Sequence, residues 1–231
     1  MPNRRDFMLL AGLAAFAGKF SMAQGLEAVK PARLETFLFN LSDDLAGDRG
    51  SDLIAGFKQR LASAGVAGFL FGRNMIAAQW PTRFEWMVMV QSDDKPADSR
   101  LEKIYGDLIS QCRNFVQCDL TCPLPAGFIQ ASSVKVRHTV MFNFKSDAPP
   151  DARDRIVAAI RQMGRLPMVQ AYLVEPAPAL ESDPNQMQWQ VVGDFASVAD
   201  YRAYSDAPVH LAIREDFTSH TSRVAFLDVE L

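Results

Sequence analysis

Residues 136–144 alternate in character. His138, Val140, Phe142 and Phe144 fall on one face of an expected strand, and Arg137, Thr139, Met141 and Asn143 on the other. Asp147, Pro149 and Pro150 then open a helix on which Ile156, Ile160 and Met163 recur at helical spacing, with Gly164 as its stop. Residues 169–174 predict a second strand, the proline-rich stretch 176–184 a loop, and residues 189–192 a third strand. Ser197, followed three places later by Asp200, has the form of a capping box and starts another helix. Residues 224–231 predict the last strand, with Val224 and Phe226 opposite Ala225 and Leu227.

The same pattern is written earlier in the chain. A shift of 103 places lays residues 34–92 on 137–195 without a gap, matching Thr36 to Thr139, Phe39 to Phe142, Asn40 to Asn143, Asp44 to Asp147 and Gln59 to Gln162. Val66 then meets Val169, Pro81 meets Pro184, and Trp86 and Val88 meet Trp189 and Val191. Matches at periodic apolar positions point to one supersecondary unit used twice. Each copy reads strand, helix, strand, strand, helix, strand, the ferredoxin-like order in which two helices cover one face of a four-stranded antiparallel sheet. The other face is also apolar and needs cover. The expected fold is therefore α+β: two ferredoxin-like βαββαβ repeats, 30–123 and 134–231, packed sheet to sheet as an intramolecular dimeric α+β barrel. Residues 124–133 would link them, and the assembly is expected to be a monomer or a homodimer.

Composition then narrows the function. The chain of 231 residues is 48% hydrophobic, enough for a core without staples, and its net charge of −3 with no basic cluster argues against nucleic acid as a partner. Residues 1–23 stand apart: Arg4-Arg5-Asp6-Phe7, an apolar stretch to Gly18, Lys19 and small residues at Ser21 and Ala23 resemble a twin-arginine signal peptide. That resemblance implies export to the periplasm with no stable membrane insertion after cleavage, since the apolar stretch is short for a bilayer span. Removal takes away three cations and one anion and leaves a charge of about −5. Cys112, Cys118 and Cys122 form no disulfide framework, being odd in number, and match no metal-binding spacing; one bridge or three packing thiols are both open.

All three histidines, His138, His210 and His220, lie in the second copy. Here a family resemblance emerges: the His138 strand, the Trp189 strand ending in Asp194-Phe195, the element Tyr204-Ser-Asp-Ala-Pro208-Val-His210 and the final Val-Ala-Phe-Leu-Asp strand resemble the stress-responsive dimeric α/β-barrel (Dabb) domain. The first copy resembles a degenerate relative, with Glu35 in place of His138 and no Pro-x-His element. A plant polyketide cyclase of that family closes a ring by an intramolecular aldol reaction. Its likeness implies His210 as general base and Tyr204 as carbonyl partner, with Trp189 and Ala159 standing where the cyclase has other residues.

Three function classes follow. The first is binding of a small apolar or aromatic molecule in a helix-to-sheet cavity of the second repeat, oriented by Tyr204, His210 and His138 and lined further by Trp189 and Tyr172. The second is a lyase or cyclase using His210 as base, and the third is haem binding through one of the histidines. The cofactor is unknown and no metal is expected. Structural roles compete at each position: His210 can pin the helix break to the sheet, His138 can be a satisfied core group, and Trp86 and Trp189 read equally as core aromatics.

Overall fold

The computed structural model describes residues 31–45, 48–66, 68–75, 84–93, 99–124, 127–178 and 183–231. The expected export segment lies outside them. The first repeat consists of β1 (Pro31–Leu41), α1 (Asp48–Ser63), β2 (Gly68–Arg73), β3 (Trp86–Asp93), α2 (Ser99–Ile109) and β4 (Cys112–Pro123). The second consists of β5 (Val136–Phe144), α3 (Pro150–Met163), β6 (Ala171–Pro176), β7 (Trp189–Phe195), α4 (Val198–Ser205), α5 (Pro208–His220) and β8 (Thr221–Glu230). The sheets are antiparallel, in the orders β2-β3-β1-β4 and β6-β7-β5-β8. The α+β, ferredoxin-like expectation therefore holds.

The shift of 103 is preserved in the register. Phe39 pairs with Trp86 as Phe142 pairs with Trp189, and Glu35 opposes Val90 as His138 opposes Gly193. Ser197 caps α4, its hydroxyl accepting from the Asp200 backbone N–H at 3.1 Å. Strand β6 starts two residues later than its apolar run, because Val169 donates to the Leu166 carbonyl in a turn. Strand β7 runs three residues beyond the expected 189–192, since Gly193 to Phe195 still find partners along β5. Helix α3 stops at Gly164, where a side chain would not fit: a Cβ there would lie 2.7 Å from the Tyr172 ring.

One core fills the space between the sheets and two lie under the helices. Leu34, Leu38, Met87, Met89, Val116 and Leu120 of the first repeat meet Met141, Val192, Ala225, Leu227 and Val229 of the second. This inter-sheet layer is apolar except at a few points, chiefly Arg137, whose guanidinium is fully buried. It donates to Asp194 through Nε at 2.7 Å and Nη2 at 2.8 Å, and Nη2 also donates to the Phe128 carbonyl at 2.7 Å. Leaving either charge alone there would be strongly destabilising, so the pair fixes β5 against β7. Phe128 and Ile129 are themselves buried, so the segment joining the repeats contributes to the core as well as spanning between them.

The barrel closes by edge contacts between repeats. Asn74, just past β2, bridges Val229 of β8, and the Met75 N–H donates to the Asp228 carbonyl at 2.8 Å. On the opposite side Gln117 of β4 bridges Gln186, with the Met187 N–H donating to the Gln117 carbonyl at 2.8 Å. Strand edges that would otherwise be open for pairing are thus engaged within the chain. The three cysteines are free, and Cys118 and Cys122 are buried in the inter-sheet layer.

Candidate functional site

The sequence-derived candidates part into two places. His138 is on the helix-facing side of β5, Tyr172 on β6, Tyr204 on α4 and His210 in the first turn of α5. The break between α4 and α5 follows from Pro208, which has no N–H to continue α4 but fits the opening turn of a new helix. Ala207, at φ −61° and ψ 135°, makes the corner, and the chain turns so that His210 comes back toward Tyr204. The Tyr204 ring lies 5.9 Å from His138 and 5.0 Å from His210, centroid to centroid. It therefore lies close to both imidazoles, 1% exposed.

Around this centre the polar atoms are almost all engaged. His138 Nδ1 lies 2.5 Å from Asp228 Oδ1 on the neighbouring strand β8. A carboxylate oxygen accepts, so this bond favours the ring form with a proton on Nδ1. The Tyr172 and Tyr204 hydroxyls are hydrogen-bonded at 2.9 Å. Burial pushes both phenols upward, Tyr204 to about 12, and Tyr201 is raised by burial and by the Asp228 charge beside it. Both tyrosine hydroxyls are thus neutral donors at physiological pH.

His210 is the exception. Its Nδ1 is buried and has no hydrogen-bond partner. Burial, followed by the nearby His138, holds its pKa below the ordinary imidazole range, and the Ser205 backbone opposes this only in part. The positive end of α5 acts in the same direction. The imidazole is therefore neutral near pH 7, with a ring nitrogen free to take a hydrogen bond or a proton.

Trp189 is elsewhere. It stacks on Phe142 at 6.1 Å and lines a groove of about 530 Å³ with Phe144, Val157, Ala158 and Arg161. That groove contains none of the histidines, so Trp189 does not share a site with His138 and Tyr172. His220 ends α5, its Nδ1 2.9 Å from the Asp216 carbonyl, and takes no part in the cluster. Sequence reasoning missed Asp228 and Tyr201. The antiparallel register offered a signal for the first: pairing β5 with the last strand puts Asp228 opposite His138.

The first repeat fills the equivalent place with different chemistry. Glu35 opposes Asp119 just as His138 opposes Asp228. Arg33 bridges both carboxylates and the Tyr105 hydroxyl donates to Glu35 at 2.9 Å, leaving that cluster internally satisfied.

His138 is buried against the Tyr201 and Tyr204 rings, and His210 is half-buried with the Tyr204 ring 5.0 Å away, so a haem held by either histidine would have to be accommodated beside Tyr204. Among the described residues no group of three or more His, Cys, Asp or Glu is placed to hold a metal ion, and no helix is long and apolar enough to cross a membrane.

Comparison with solved structures supports the architecture. A candidate chlorite dismutase superposes with a TM-score of 0.58 at 8% identity, covering 87% of this chain and 95% of that one. A candidate monooxygenase from Fusobacterium nucleatum subsp. nucleatum gives 0.51 at 8% identity, covering 87% and 92%. A Dabb family protein with a ferredoxin-like fold from Mesorhizobium loti is 22% identical over 42% of this chain and 97% of its own, with a TM-score of 0.36. For the first two of these, at 8% identity, the likeness is one of fold. No curated protein matches the chain. The second repeat, over residues 136–231, matches the model of the Stress responsive A/B Barrel Domain.

Proposed function

We propose that the second repeat binds a small apolar or aromatic molecule at the His138–Tyr204–His210 cluster, under the corner between α4 and α5. The observation that carries this reading is the orphaned His210 Nδ1. A buried polar atom without a partner costs about 1–3 kcal/mol, and a ligand donor supplies the missing bond. The aromatic walls, Phe195, Tyr201 and Tyr204, suit a guest that is itself largely apolar. Native mass spectrometry of protein recovered from its own cells tests it. A co-purifying mass lost in His210→Ala, with thermal stability retained, supports the site; a mass retained in that variant places the ligand elsewhere.

A lyase or cyclase reaction is the second reading, favoured by the lowered His210 pKa. In that step the neutral imidazole takes a proton from carbon beside a carbonyl, while a tyrosine hydroxyl donates to the oxygen on which charge collects. Turnover of a carbonyl compound that falls in His210→Gln but survives Trp189→Leu would support it; equal loss in both would not.

The twin-arginine-like segment leads us to propose export to the periplasm. Replacing Arg4 and Arg5 with lysine should trap the protein in the cytoplasm at its full length, and unchanged export would overturn this. Intramolecular sheet packing further leads to a monomer of 25.6 kDa before processing, which light scattering checks.

A further inference from the structure

Trp86 and Trp189 occupy equivalent registers but have different surroundings. Trp86 opposes Arg73 on β2, whose guanidinium lies 5.6 Å over its ring. Arg73 is in turn held by Glu85 at 2.6 Å, so the first repeat covers its tryptophan with a neutralised cation of its own. In the second repeat the corresponding positions are Pro176 and Gln188. Among the described residues no guanidinium lies over Trp189, and the groove of about 530 Å³ opens beside it.

The groove has the elements of a binding site. Its volume lies within the range of small-molecule pockets. Trp189, backed by Phe142, offers a flat aromatic surface, and Val157 and Ala158 of α3 form an apolar wall. Two arginines border it. Arg153 is committed, lying 5.7 Å over Phe144 and donating to the carbonyls of Ala148, Lys145 and Ser146. Among the described residues Arg161 makes a single long bond, 3.4 Å to the Val174 carbonyl, and keeps donors for a planar anion. Asp154 also borders the groove, so its formal charge is +1 and one carboxylate balances it.

We propose that this groove is a second site, distinct from the histidine cluster, and that it binds small aromatic carboxylates with the ring on Trp189 and the carboxylate on Arg161. The test is calorimetric titration of the full chain with 1-naphthoate, using neutral 1-naphthalenemethanol as control. Saturable binding of the acid is expected, weakened about 10-fold in Arg161→Gln by loss of the charge-assisted pair and unchanged in His210→Ala. Because Arg161 is exposed, the first variant should fold normally. Trp189→Leu should weaken the acid and the alcohol alike. Absence of saturable binding, equal affinity in Arg161→Gln, or loss of binding in His210→Ala would each overturn the proposal.

Discussion

Gln190 reaches across the barrel and donates from Nε2 to the Thr36 hydroxyl at 2.8 Å, a buried bond between β7 of one repeat and β1 of the other. The internal symmetry calls for a twin of this bond, but only half of it exists. The counterpart of Thr36 is Thr139, and the counterpart of Gln190 is Met87. Methionine offers no N–H, and the Thr139 hydroxyl, fully buried, is without a partner. Thr139→Val should therefore be neutral or stabilising, because it removes an unsatisfied hydroxyl while keeping the shape. Thr36→Val, which strands the Gln190 amide, should cost about 1–3 kcal/mol. Urea denaturation of the two variants compares them directly; a larger loss for Thr139→Val would contradict the asymmetry.

Gly72 of β2 packs directly against Val229 of β8. A Cβ on it would lie 2.1 Å from a methyl of Val229, a distance that no side-chain adjustment at Gly72 relieves. Gly72→Ala should destabilise by roughly 1–3 kcal/mol through overpacking, with part of the loss recovered when Val229→Ala is added. Additivity of the two changes in denaturation would show that the clash is relieved some other way.

Much of this architecture could be read from residue patterns because repetition fixes register. Once Trp86 is laid on Trp189, the strand pairings of one sheet follow from those of the other, and Phe39 and Phe142 fall into place. What pattern does not carry is depth and direction. Trp189 shares a strand with Gly193, yet lies at the other end of it from His138 and faces a different groove. The Asp228 partnership was hidden for another reason: it joins residues 90 positions apart, and only the pairing of β5 with β8 brings them together. The engagement of Arg137 with Phe128 was equally silent, since the connecting segment has the composition of a plain linker.

Glu35 gives the first repeat a pH dependence of its own. Burial raises its pKa above the ordinary 4.5, and the opposing charge of Arg33 and the Tyr105 hydroxyl offset this only in part. A carboxyl raised in the native state favours folding most when protonated, so its contribution is fully present below about pH 4.5 and is lost as pH rises through the shifted value. Glu35→Gln should remove that loss. Relative to the parent protein, the variant should gain stability between pH 4 and pH 7. Denaturant midpoints at the two pH values measure the difference, and a variant that loses ground as pH rises would reverse the assignment.

His210 has the opposite sign. Its pKa is lowered by burial, by His138 and by Arg214, while Asp206 and the Ser205 backbone pull the other way. Below about pH 6.5 the unfolded chain binds a proton that the native site resists, so stability falls as pH drops through that value toward the lowered one. His210→Gln keeps an amide in the space without titrating and should flatten this slope. The nitrogen shifts of the ring supply an independent reading: the His210 midpoint should lie below the ordinary 6.5. A ligand whose donor occupies Nδ1 should lower the pKa further, because it bonds to the neutral form. The same titration repeated with a bound guest therefore separates a site that engages Nδ1 from one that only lies nearby: the first moves the midpoint downward, and the second leaves it in place.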